Sequence, residues 1–236
     1  MVLSVIHSIF FYLIVVVSYC IGTTIAFCFL PFAKRKTKVF QTAAHLWSRF
    51  LVFCSGVRVT VSGLENIPRS QPVILAANHQ GAADILIVLA FLPVGFRFAI
   101  KKELFKIPIF GWYLRMAGYF SVDRELVLSA FKIVEKIVEI VGSGESVLIF
   151  PEGTRTRTGE LGKFKRGSLL AALKSGAPIV PVAISGSYNI MRRGSWTFSP
   201  CPVKLSIGKP IQIKSEEDYD NKVEEVRASI ARMLEV

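Results

Sequence analysis

Hydrophobic and polar positions divide this chain into two unequal parts. Residues 1–33 contain no Asp, Glu, Lys or Arg, and His7 is the one residue there that could carry a side-chain charge. That run predicts a helix over residues 3–30, about 42 Å long at ~1.5 Å per residue, which is more than a hydrocarbon core requires. Gly22-Thr23-Thr24 soften it and Pro31 ends it. A second helix is expected over Val39–Cys54, with Gln41, His45, Ser48 and Arg49 on one stripe and Phe40, Ala43, Ala44, Trp47, Phe50, Leu51 and Cys54 on the other faces. Such sidedness suits a helix in the membrane interface, or one covering the first helix. The pair fits either one true span or a helical hairpin immersed in one leaflet. The apolar stretch lacks the basic start and the small-residue cleavage site of a signal peptide.

From Val57 onward short apolar runs alternate with helical patterns. Val57–Ser62, Pro72–Ala77, Phe96–Ile100, Val147–Phe150, Ile179–Ile184 and Val203–Ile207 read as strands, the second apolar enough to be buried on both faces. Asp84–Leu92 reads as an apolar helix. Leu126–Val141 is clearly amphipathic, with Lys132, Glu135, Lys136 and Glu139 on one stripe, and Gly142-Ser143-Gly144 stops it. Helices are also expected over Gly167–Ser175 and Glu216–Leu234. This alternation predicts an α/β fold, a largely parallel or mixed sheet flanked by helices, behind an N-terminal hydrophobic helical anchor. The expected division is an anchor over residues 1–56 and an α/β domain over 57–236.

Charge sharpens that picture. The formal net charge is +12, which invites a nucleic-acid reading, but its distribution points elsewhere. Residues 215–236 hold seven acids against three bases, and Glu65 is the first acid in the chain. Lys34, Arg35, Lys36 and Lys38 follow the apolar segment directly. Basic residues there contact anionic headgroups at roughly 1 kcal/mol each and mark the cytoplasmic side of a membrane segment. No nucleic-acid-binding pattern accompanies the charge. Cys20, Cys28, Cys54 and Cys201 form no CxxC pair, so reduced packing residues are expected rather than disulfides or zinc.

Two segments carry candidate chemistry. In Asn78-His79-Gln80-Gly81-Ala82-Ala83-Asp84 an imidazole and a carboxylate stand five residues apart. On a regular helix that spacing subtends about 140°, so the two meet only if His79 lies in a turn and Asp84 in the first helical turn. A carboxylate on one ring nitrogen fixes the tautomer and stabilises an imidazolium. The alternative is a surface histidine beside an N-capping Asp. In the second segment, Phe150-Pro151-Glu152-Gly153-Thr154-Arg155, a glycine turn and a guanidinium suit a phosphate, or form a solvated basic loop. Gly-x-Ser-x-Gly is absent from the sequence, so direct transfer to a substrate hydroxyl is simpler than a covalent acyl-enzyme. Ile107–Leu114 lines an acyl-chain tunnel, or sits in the core or at the bilayer surface.

Four blocks in order, NHQGAAD, GYFSVDR, FPEGTRTRTG and VPVAI, resemble those of the 1-acyl-glycerol-3-phosphate acyltransferases. The resemblance covers residues 73–184. It implies the glycerolipid acyltransferase fold, His79 as general base and Asp84 as its partner. It implies that Lys101, Arg124, Glu152, Gly153, Thr154 and Arg155 bind the glycerol phosphate. Gly81 and Thr156 depart from the serines common at those places. The expected reaction moves a fatty acyl group from acyl-CoA or acyl carrier protein to the sn-2 hydroxyl of lysophosphatidic acid, with no metal or other cofactor. Glycerol 3-phosphate or another lysophospholipid remains open as acceptor. A non-catalytic module binding anionic lipids is the alternative from another class. The expected setting is a membrane, a bacterial inner membrane with the catalytic domain facing the cytoplasm, and no nucleic-acid partner.

Overall fold

The computed structural model describes residues 2–32, 34–122, 128–165, 167–191 and 194–235. Two helices come first, α1 (Val2–Phe29) and α2 (Lys36–Ser55). A seven-stranded sheet follows in the order β1-β7-β6-β2-β5-β3-β4. Its strands are β1 (Val59–Ser62), β2 (Ile74–Ala77), β3 (Phe96–Lys101), β4 (Phe120–Val122), β5 (Ser146–Ile149), β6 (Ile179–Ser185) and β7 (Val203–Ile207). Every neighbouring pair runs parallel except β6 and β7, so the sheet is mixed.

Strand β2 is buried at all four positions because it lies between β5 and β6 and is covered on both faces. Leu75 and Ala77 face a core built with α1–α4, while Ile74 and Ala76 face a second core under α5 (Leu128–Gly142), α6 (Leu170–Ser175) and α7 (Tyr219–Glu235). That alternation is the two-residue period of a strand. Two short helices pack beyond α1 and α2, α3 (Ala83–Phe91) and α4 (Phe110–Met116).

Helix α2 buries Phe40, Ala44, Ser48, Leu51, Val52 and Ser55, and part of its polar stripe lies along that face. Gln41 Nε2 donates to the Ala117 carbonyl at 3.3 Å and His45 Nδ1 bonds the Leu89 carbonyl at 2.7 Å. Ser48 is fully buried, and Arg49 lies over the Phe91 ring at 6.0 Å. Gln41, His45 and Ser48 of the polar stripe therefore turn toward the protein, whereas Arg49, Leu46, Phe50 and Phe53 are exposed. The sequence pattern located the stripe correctly but carried no information about which side meets solvent.

Helix α1 lies against the rest of the chain along most of its length. Ser8 Oγ accepts the Phe198 N–H at 2.7 Å, and Tyr12 donates to the Trp196 carbonyl at 2.7 Å. Trp47 Nε1 donates to Ser18 Oγ at 2.9 Å. Phe27 stacks on Trp112 with ring centroids 4.4 Å apart. Its other face exposes Ile6, Phe10, Leu13, Val17, Ile21 and Ile25. Ser4–Phe32 is long and apolar enough to cross a membrane.

Candidate active site

Because β2, β5 and β3 are parallel neighbours, their carboxyl ends open on one edge of the sheet, the usual place for ligands in an open α/β sheet. The His79 loop leaves β2, the Glu152–Arg155 loop leaves β5, and Lys101 ends β3. Three hydrogen bonds then bind the first two loops to each other.

His79 lies in the turn and Asp84 in the first turn of α3, with His79 Nδ1 and Asp84 Oδ2 2.7 Å apart. Asp84 is fully buried and the His79 side chain is 12% exposed. The same Asp84 oxygen accepts the N–H groups of Gln80 at 2.7 Å and Gly81 at 2.9 Å. An oxygen that already accepts two N–H bonds is an acceptor for the imidazole as well. Nδ1 therefore carries the hydrogen, and Nε2 is left with its lone pair. Phe150 stacks on the imidazole, centroids 4.0 Å apart and planes 18° off parallel, which holds the ring in one orientation.

Glu152 ties the two loops together. Its Oε1 accepts the His79 N–H at 2.8 Å and its Oε2 accepts the Gly162 N–H at 2.8 Å. Burial raises the Glu152 carboxyl above the ordinary value, an effect only partly offset by those two N–H groups and by His79. A Cβ at Gly162 would lie 2.6 Å from Glu152 Oε2, so any larger residue there makes the carboxylate shift. Thr156 N–H donates to the His79 carbonyl at 2.9 Å. Gln80 Nε2 donates to the Gly159 carbonyl at 2.9 Å, and Asn78 pairs through both side-chain atoms with the backbone of Ile184. None of these ties has a local sequence signal, because each joins residues separated by ten or more positions.

The expected ligand residues differ in where they lie. Lys101, whose Nζ is 3.6 Å from Glu103, and half-buried Arg155 share one cavity with His79. Gly153 takes a left-handed φ of 73° and turns the loop back, its N–H donating to the Phe150 carbonyl at 2.8 Å; Thr154 beside it is exposed. Arg124 lies outside the described residues. Glu152 has both oxygens engaged by backbone, so within the described residues it acts on loop geometry. The two departures from the resembled blocks also find physical reasons. A Cβ at Gly81 would approach the Ser187 carbonyl to 2.9 Å, tighter than a serine tolerates without a shift. Thr156 uses its hydroxyl oxygen to accept the N–H groups of Thr158 and Gly159, which a serine hydroxyl can do equally.

The cavity has a volume of about 500 Å³. His79, Lys101 and Arg155 bring imidazole, ammonium and guanidinium to a lining otherwise rich in apolar groups. Ile85, Leu86 and Leu89 come from α3, Phe98 and Ile100 from β3, and Phe110, Tyr113 and Leu114 from α4. Tyr19 and Gly22 of α1 and Ala43, Ala44 and Trp47 of α2 complete the wall. The tunnel reading of the 107–114 piece thus receives three of its residues, whereas Ile107 and Ile109 are exposed. The part played by α1 and α2 in this wall was not legible in the sequence.

Comparison with known proteins agrees with these blocks. The acyltransferase family model matches residues 58–185. The chloroplastic 1-acyl-sn-glycerol-3-phosphate acyltransferase of Arabidopsis thaliana is 33% identical over 88% of this chain and 57% of its own length. The chain thus spans little more than half of that longer relative. The Pseudomonas aeruginosa enzyme of the same name is 32% identical over 89% of this chain and 82% of its own. The crystal structure of the 1-acyl-sn-glycerophosphate acyltransferase PlsC from Thermotoga maritima superposes with a TM-score of 0.82 at 31% identity, covering 99% of this chain and 95% of that one. The chain belongs to the acyltransferase family.

Proposed function

We propose that this chain moves a fatty acyl group from an acyl thioester of coenzyme A or acyl carrier protein to the sn-2 hydroxyl of 1-acyl-glycerol 3-phosphate, making phosphatidic acid. The observation that carries this reading is the His79 ring, locked by Asp84 at 2.7 Å and lining an apolar cavity with Lys101 and Arg155. The names of relatives that align over most of this chain support the same acceptor.

His79 Nε2 takes the proton of the acceptor hydroxyl as that oxygen attacks the thioester carbonyl carbon. The carbon–sulfur bond then breaks, and the imidazolium returns the proton to the departing thiolate. Asp84 carries the compensating negative charge in a buried setting, where it stabilises the imidazolium. Arg155 and Lys101, with Arg124, Gly153 and Thr154 of the resembled blocks, hold the acceptor phosphate by charge-assisted hydrogen bonds. Glu152 positions the His79 loop. The apolar cavity takes an acyl chain.

Residues 1–56 act as the membrane anchor and 57–236 as the catalytic domain. We infer a hairpin lying in one leaflet. Support comes from α1 being tied to residues 196 and 198 and to Trp112, and from the inward polar stripe of α2. The basic cluster after α1 favours a catalytic domain on the cytoplasmic side, as at a bacterial inner membrane.

The test is an acceptor panel with purified protein, read by mass spectrometry of the lipid products. Phosphatidic acid should form from lysophosphatidic acid with either thioester donor class. A faster reaction with glycerol 3-phosphate, or turnover of thioester to free fatty acid alone, would overturn the assignment.

A further inference from the structure

Ile109 has the backbone of a residue that should not be isoleucine. Its φ and ψ are 63° and −52°, and Phe110 N–H donates across it to the Pro108 carbonyl at 2.6 Å. This is the γ-turn with a positive central φ, rare and strained for any L-residue and worse for a β-branched one. It is the one non-glycine residue with positive φ among the described residues. The strain relaxes nothing inside the protein, because the side chain is 63% exposed, and Ile107 on the other side of Pro108 is 46% exposed.

Neighbouring contacts hold the turn in this state. A Cβ at Gly111 would lie 2.1 Å from the Phe105 carbonyl, so the segment before the turn folds back tightly on α4 only over a glycine. Arg115 donates to that same carbonyl at 2.9 Å, and its guanidinium lies over the Phe105 ring. Strain that the surroundings over-determine marks a functional position. An exposed apolar tip costs solubility unless something covers it.

The tip continues the apolar surface of the anchor. Trp112, three residues on, stacks on Phe27 of α1, whose far side exposes Ile21 and Ile25. Basic Lys106 and Arg115 flank the tip in sequence and are exposed, a collar suited to anionic headgroups above an acyl layer. Leu104 and Phe110, on either side of the tip, line the reaction cavity.

We infer that the Ile107-Pro108-Ile109 turn is a second membrane contact, a wedge that enters the acyl region of the leaflet holding α1 and α2. It sets the reaction cavity against the bilayer, so that a membrane-dissolved acceptor reaches His79 without crossing water. This rests on the acyl-transfer reading for its kinetic readout but not for its physical one.

Ile109→Gly removes the side chain and the strain together, so its effects on folding and on membrane function should have opposite signs. In detergent its melting temperature should rise above the parent's. On acceptor embedded in vesicles containing anionic phospholipid, its rate should fall about tenfold, the scale set by withdrawing one large apolar side chain. On a short-chain lysophosphatidate dispersed as monomers the rate should stay near the parent's. Ile109→Asp should behave alike on vesicles, and Ile109→Leu should keep the vesicle rate. Equal losses on both acceptors would assign the turn to the cavity wall and overturn the wedge. Full vesicle rates in both variants, with loss only in cells, would assign it to a protein partner and overturn it too. Ile109→Trp gives a readout independent of turnover. Its added fluorescence over the parent should be quenched by lipids brominated in the acyl chain, and no added quenching would refute insertion even if the acceptor were misassigned.

Discussion

Glu152 Oε1 accepts the backbone N–H of His79 at 2.8 Å, so an acid from one loop fixes the histidine of another. The contact joins the carboxyl ends of β2 and β5, adjacent parallel strands. The His79 imidazole, its tautomer-fixing carboxylate Asp84 and the Glu152–Arg155 loop are thereby held in one frame, with the Glu152 carboxylate buried.

His79→Ala should abolish most acyl transfer while leaving membrane association and folding intact. General-base catalysis contributes roughly 10²–10⁴-fold, so retention of near-parent rate would exclude the mechanism. Asp84→Asn can still accept the N–H groups of Gln80 and Gly81 but cannot balance the imidazolium. It should therefore keep the fold, by circular dichroism and melting, and lose most of the rate.

Arg155→Ala and Arg124→Ala should weaken the phosphorylated acceptor much more than the thioester donor. Loss of one charge-assisted phosphate contact costs about 1.5–3 kcal/mol, or about tenfold and more in acceptor kcat/KM. Steady-state kinetics varying each substrate in turn checks this. A selective rise in donor KM would transfer the loop to the carrier's phosphates.

Gly162→Ala is conservative in size yet places a methyl group 2.6 Å from Glu152 Oε2. The carboxylate must move, and its tie to His79 with it. A fall of roughly tenfold or more in kcat with a small change in acceptor KM is expected, since a modest displacement of a catalytic group is kinetically expensive. An unchanged kcat would show that the tie is dispensable.

The Glu152 carboxyl, raised above its ordinary 4.5 chiefly by burial, gives a pH signature. An acid whose folded pKa is raised stabilises the fold most below its unfolded value, and that contribution is lost as pH rises through the folded one. Glu152→Gln has no such titration. It also offers an NH₂ where one backbone N–H needs an acceptor, so it should be slower at every pH. The stability of the parent relative to Glu152→Gln should decline from pH about 4.5 upward, by melting in matched detergent. A difference that grows with pH would reverse the sign and refute the burial argument.

The sequence was informative where chemistry and hydrophobic runs coincide. Strand β2 is an apolar run ending at the Asn78-His79 turn, and β5 is another ending at Pro151, so both loops and their sheet edge could be read directly. Tertiary partners were not legible. Nothing local marks that Glu152 accepts from an N–H 73 residues away. The periodicity of α2 is the same whether Gln41 and His45 meet water or carbonyls, and only packing against α3 and α4 decides. The apolar piece around Ile109 likewise carries no sign of its backbone conformation, which follows from Gly111 and Phe105 crowding one another.

Because Tyr19, Gly22, Ala43, Ala44 and Trp47 form part of the cavity wall, a water-soluble version of this protein cannot be made by trimming the N-terminus. Removing the two helices would leave the cavity open on that side and expose the core beneath. Solubility has to be engineered by repainting instead. Polar replacements at Ile6, Phe10, Leu13 and Val17 fall on the outer face of α1, each about half exposed or more. They leave Ser8, Tyr12, Ser18 and the chamber residues in place. The helix that looks like an expendable leash is, on its inner side, as much a part of the cavity as the sheet.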